Sequence, residues 1–156
     1  MNFSFDIKTS ADLFTAFSES VDACESDLTS ASKAVITAIL GWSLCDWVYN
    51  EFPGIPLVHR KKSDFQTFVK TQCPSLDYLQ DIANGTKHRS ITMYTPTVVS
   101  AEKHGGAFSS AFSNEFDISR LKMTLTDGTV VFFDNEARAA RNYWRRFFDR
   151  ELGISV

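Results

Sequence analysis

Three side chains able to handle charge or protons fall within one short run, Ala83-Asn84-Gly85-Thr86-Lys87-His88. Asn84 offers an acceptor and two donors, Lys87 a fixed cation, and His88 a group that exchanges protons near neutral pH. A cation beside a proton donor suits a phosphate-containing substrate. Lys87 and His88 are therefore candidate catalytic groups, and Asn84 a candidate binding group. The same residues also fit a charged helix end. Glycine supplies the left-handed turn that stops a helix, and cations are favoured beside the carbonyls exposed there. Residue types alone leave both readings open.

Asp46 is the third catalytic candidate. It follows Trp42 by one turn and adjoins Trp47, in a stretch whose apolar residues occupy every side of a helix. That pattern predicts a buried carboxylate, which is costly unless it is paired, hydrogen-bonded, protonated or at the wall of a pocket. A salt bridge or hydrogen bonds from a neighbouring arginine or lysine is the expected solution. Further along, Arg138, Arg141 and Arg145 share one flank of the last predicted helix, beside Trp144. They are candidate binding residues for a phosphate or an acidic protein surface, and an ordinary solvated face explains the same spacing.

Charge is unevenly distributed along the chain. The net charge is −3, yet the stretch up to Asp27 carries six acids against Lys8 alone. The basic excess lies in His59-Arg60-Lys61-Lys62 and in five arginines near the C-terminus. Such segregation can steer an anionic partner, or it can fold the acidic N-terminal segment back onto the basic helix, which is the expected arrangement. The overall negative balance argues against a general nucleic-acid coat.

Other chemistries lack their signatures. There is no phosphate loop, G-x-G-x-x-G, G-x-S-x-G or H-E-x-x-H motif. His59, His88 and His104 sit in separate predicted loops without metal-ligand spacing, so neither a metal nor a cofactor is expected. Cys24, Cys45 and Cys73 are odd in number and widely spaced, which suits reduced thiols rather than a disulfide framework. The N-terminus shows no basic segment followed by an apolar one. The longest uncharged helical run, Ala34 to Cys45, is too short to cross a bilayer. A cytoplasmic protein with no membrane association is expected.

The elements that must position these residues follow from periodicity and punctuation. Hydrophobic residues make up 44% of the 156-residue chain, enough for the core of one domain spanning residues 1–156. Leu13, Phe14, Phe17 and Val21 form the stripe of a first helix, and Ala31 to Phe52 a second, buried one ended by Pro53-Gly54-Ile55-Pro56. Ser63 or Asp64 is expected to cap a third helix. Cys73-Pro74 starts a fourth, which should stop at Asn84-Gly85. Ser90–Tyr94 and Thr97–Ser100 read as strands, followed by a small-residue loop from Gly105 to Ala111. Thr126-Asp127-Gly128 joins two β-branched runs as a hairpin. Asp134 is expected to cap a last helix with Ala137, Ala140, Trp144, Phe147 and Phe148 inward. The fold class is thus α+β: an N-terminal bundle of about four helices, a small antiparallel β-sheet with an Asp-Gly hairpin, and a C-terminal helix packed on the core.

Two patterns resemble those of known families. Trp42-x-x-x-Asp46-Trp47, followed by Cys73-Pro74-x-Leu76 and Asp81-Ile82-Ala83-Asn84-Gly85-x-Lys87-His88, resembles a family of uncharacterised bacterial and phage proteins. That resemblance covers most of the chain and implies no particular activity. A weaker resemblance is to the HEPN group of helical nucleic-acid-processing and toxin-like domains, which implies RNA cleavage by an Arg and a His on a late helix. No arginine stands at that spacing upstream of His59, His88 or His104. The first expectation is a non-catalytic interaction protein of a mobile-element, phage or defence-type system, with a protein partner. The alternative is a small RNA-directed enzyme or RNA-binding domain centred on Asn84–His88. Oligomeric state stays open, a homodimer included.

Overall fold

In the computed structural model, which describes residues 4–56, 61–105 and 119–156, the chain is α+β with five α-helices and a three-stranded antiparallel sheet. Helix α1 (Ser10–Glu25) opens with a capping box between Thr9 and Asp12, and buries Leu13, Phe14, Phe17, Val21 and Cys24. Helix α2 (Ala31–Glu51) is capped by Ser30. Its buried residues, among them Ala34, Ala38, Gly41, Leu44, Cys45 and Val48, define one face rather than the whole circumference. The expectation that α2 is buried on all sides is corrected here. Ile36 is 54% exposed and Ile39 41%, because nothing among the described residues covers the outer face of the helix.

The short extended segment β1 (Pro53–Pro56) follows α2, and α3 (Lys62–Gln72) begins after Lys61, which takes the N-cap backbone position without a side-chain bond. Ser63 and Asp64 thus lie inside the first turn rather than capping it. His59 and Arg60 of the basic cluster, and residues 106–111 of the expected small-residue loop, lie outside the described residues.

Helix α4 (Pro74–His88) starts on Cys73 with Pro74 in the first turn, as its lack of an N–H allows. It does not stop at Asn84-Gly85. One more turn forms, and Arg89 takes the left-handed conformation (φ 61°) that ends it. Ser90–Tyr94 forms no strand; the chain turns back there, and β2 spans Val98–His104. Strand β2 pairs with β3 (Arg120–Leu125), which pairs with β4 (Val130–Phe132), giving the order β2-β3-β4. The Asp127-Gly128 turn forms as its sequence dictates, with Gly128 at φ 86°.

Helix α5 (Phe133–Phe147) returns across the core and ends in a single π-helical turn (Phe148–Leu152). Asp134 is not its cap; it lies in the first turn and binds Arg120 of β3. Ala137, Ala140, Trp144, Phe147 and Phe148 are all buried. The helices meet at Gly41. A methyl group there would lie 2.7 Å from the Phe17 ring and 2.8 Å from Leu79, and the Gly41 carbonyl accepts the Trp144 indole N–H at 3.2 Å. Only glycine permits α1, α2 and α4 to approach that closely. Sheet residues Met123 and Leu125 close the core from the other side.

Candidate functional site

Helix α4 carries Asp77, Asp81 and Asn84 at positions i, i+4 and i+7, a polar stripe on one face. Asp81 is the most buried of the three, 4% exposed. Its Oδ2 accepts the backbone N–H groups of Thr97 at 2.7 Å and Val98 at 2.8 Å. Its Oδ1 accepts the Tyr94 hydroxyl at 2.9 Å, and Asn84 Nδ2 donates to that same hydroxyl at 3.2 Å. Burial pushes the Asp81 carboxyl upward, opposed by the bonds from Val98, Tyr94 and Thr97. Burial likewise pushes the Tyr94 phenol up to about 12. Asp77 holds Lys70 at 3.0 Å and accepts the Thr97 hydroxyl. The cluster thus fastens the segment after α4 onto the helix and fixes where β2 begins. Both Asp81 oxygens are engaged in doing so.

Beyond that anchor an open trough runs between α4 and β2. One part, about 440 Å³, is lined by Gly85, Thr86 and Arg89 on one side and by the four successive residues Val98, Val99, Ser100 and Ala101 on the other. Successive strand side chains point to opposite faces, so a cavity touching four in a row lies along the strand's edge. A second part, about 380 Å³, shares Ile82, Thr86 and Ala101 with the first and continues over Leu121 and Met123 to Val35 of α2. The walls of this second part are mostly apolar. Arg89 lines the first part and Lys103 the second; Lys87 and His88 are exposed at the close of α4 and line neither.

The expected catalytic residues are not gathered at one place. Asp46 is not buried; its side chain is 45% exposed, with Lys62 at 3.3 Å and Gln66 at 3.1 Å, both on α3. The reason is the outward turn of α2, which leaves this side of the helix beside the start of α3. Helices α2 and α4 pack antiparallel, since Gly41 meets Leu79 while Val35 meets the Ile82–Thr86 end. Asp46 and His88 therefore lie in opposite directions from the crossing, roughly 20 Å apart at 1.5 Å per residue. The side chains of Lys87 and His88 make no hydrogen bond among the described residues, and Asn84 belongs to the Asp81–Tyr94 cluster.

The arginine flank of α5 turns inward to the acidic helix α1. Arg141 binds Asp22 at 2.5 Å and Glu25 at 3.6 Å, Arg138 binds Glu25 at 2.6 Å, and Arg145 lies 5.8 Å over the Phe14 ring. The acidic N-terminal helix thus meets two arginines of the basic last helix, as the segregation read from the sequence led us to expect. Sequence reasoning missed two buried carboxylates, Asp81 and Asp134. For Asp81 the signal was available in the Asp77, Asp81, Asn84 spacing. For Asp134, paired with Arg120 at 2.7 Å and 2.9 Å, it was not, because the partner comes from another element.

Remaining reactive groups are withdrawn from the surface. Cys24, Cys45 and Cys73 are buried and free, and burial pushes the Cys45 thiol well above its usual value. Among the described residues, no three His, Cys, Asp or Glu side chains gather as metal ligands, and no helix is long and apolar enough to cross a membrane. Comparison with models of known families, with curated proteins and with solved structures finds no match to this chain.

Proposed function

We propose that this chain is a non-catalytic interaction domain that binds another protein through the trough between α4 and β2. The observation that carries this reading is the trough itself: an open channel, largely apolar over Leu121 and Met123, whose acidic neighbours are already engaged. Asp81 holds the Thr97–Val98 backbone, and Glu102 holds Lys122 at 3.2 Å. Catalysis needs a nucleophile or base positioned against its partners. Asp46, Lys87 and His88 do not converge, and the three thiols are enclosed. A place in a phage, mobile-element or defence system belongs to the same proposal and rests on the resemblance of the motifs alone.

One observation favours the second reading, an RNA-directed role: Lys87 and Arg89, with His88 between them, are exposed together at the end of α4. The two readings part on a simple assay. Purified protein and its His88→Ala variant are incubated with labelled single-stranded RNA and with total cellular RNA. The interaction reading expects no cleavage by either protein. Cleavage by the wild type that disappears in a folded His88→Ala variant would overturn it.

A further inference from the structure

We infer that the trough receives an extended, acidic segment of a partner protein, added as a fourth strand along the outer edge of β2. The inference rests on the interaction reading above and specifies its mode. Strand β2 is outermost in the sheet, and among the described residues nothing pairs with its far side.

The backbone groups available there follow from the register. In an antiparallel pair, successive residues direct their N–H and C=O groups to opposite sides. Leu121 N–H donates to Leu28 and Leu125 N–H to Thr129, both away from β2, so the groups of Lys122 and Thr124 point toward β2. Their register partners Glu102 and Ser100 complete those bonds, which leaves the groups of Ala101 and Lys103 directed outward. An unpaired edge of this kind is a template for another strand.

The space beside the edge fits such an occupant. Ala101 lies at the junction of both parts of the trough, facing Ile82 and Thr86 of α4. Gly85 keeps the opposite wall low, since a methyl group there would meet only Ile91, at 4.0 Å. An added strand would turn alternate side chains beside Ala101 toward Ile82 and Thr86 of α4, and these should be apolar. Charge sets the remaining preference. Arg89 and Lys103, which line the two parts of the trough, form no salt bridge among the described residues, whereas Glu102 is paired and Asp81 is buried. Aspartate or glutamate near the Arg89 end complements them.

The test is selection of a displayed random dodecapeptide library against the purified protein, followed by anisotropy measurements on an enriched synthetic peptide. Enriched sequences should alternate apolar residues and carry acidic ones. Methylating alternate peptide amides should weaken binding about tenfold, and Ala101→Pro, which removes an outward donor and no bond to β3, should do the same. Gly85→Leu should fill the wall and block binding while folding at least as well as the wild type. Arg89→Gly should relieve its left-handed backbone, melt no lower than the wild type, and weaken the peptide about fivefold at low salt. No enriched sequence, a basic consensus, or a peptide indifferent to amide methylation overturns the inference. A peptide that binds all three variants equally docks elsewhere and leaves the interaction reading standing. A concentration-dependent dimer abolished by Ala101→Pro would give the edge to a second copy instead. RNA cleavage that depends on His88 removes both readings.

Discussion

Replacing Asp81 by alanine should destabilise the fold by about 2–4 kcal/mol. The carboxylate is the acceptor for the Tyr94 hydroxyl and for the Thr97 and Val98 N–H groups. A buried donor left without an acceptor costs about 1–3 kcal/mol. Thr97 and Val98 are half-buried, so their amides recover some water and fall at the low end, while the Tyr94 O–H loses its acceptor, because Asn84 only donates to that oxygen. For a domain of this size each kcal/mol moves the melting temperature by about 2–4 °C, so the loss should be roughly 5–15 °C. Asp46→Leu supplies the contrast. That carboxylate is half exposed beside Lys62, so screening keeps its contribution within about 1 kcal/mol. Thermal melts followed by circular dichroism compare the two variants directly. If Asp81→Ala melts with the wild type, or Asp46→Leu costs more than Asp81→Ala, the assignment of the buried anchor to Asp81 is wrong.

Gly41→Ala should destabilise by about 1–3 kcal/mol in urea unfolding through overpacking, because the new methyl meets Phe17 and Leu79 below 3 Å; an unchanged midpoint would mean that α1 and α4 do not close on that point. Gly128→Val should cost about 1–2 kcal/mol from backbone strain alone, since its φ is 86° and open space surrounds the added side chain. A variant that melts with the wild type contradicts the turn. Arg120→Met should cost about 3–5 kcal/mol, as it strands the Asp134 carboxylate that the guanidinium holds with two nitrogens. Loss below 1 kcal/mol in the same melts would show that water reaches Asp134.

The helices and the hairpin were legible because their signals are local. Cys73-Pro74 starts a helix, apolar stripes set the inward faces of α1 and α5, and Asp127-Gly128 turns the chain. What depended on distant partners was not legible. Apolar residues around all of α2 were read as burial, yet Ile36 and Ile39 stay exposed because nothing described in the fold reaches that side. The same misreading made Asp46 the buried carboxylate. Asp81 takes that place through Tyr94 and two backbone amides from the segment that follows α4, a contact no helical period encodes. Gly85 was read as a helix end because glycine favours one. Arg89 accepts the left-handed backbone instead and lines the trough, and the extra turn keeps Lys87 and His88 within α4. Ser90–Tyr94 has strand-like residues but pairs with no strand, and Tyr94 serves Asp81 through its side chain.

Site-specific photo-crosslinking in the cells that naturally express the protein tests the binding role of the trough most directly. A benzophenone side chain is placed singly at Val99, which is 60% exposed on the edge of β2, at Ile36 on the outer face of α2, and at Lys87. Mass spectrometry then identifies what each position has captured. The interaction reading predicts that Val99 crosslinks to one protein, through a segment rich in acidic and alternating apolar residues, and that Ile36 does not reach it. Crosslinks confined to Ile36, or an RNA adduct at Lys87 with no protein at Val99, would contradict it.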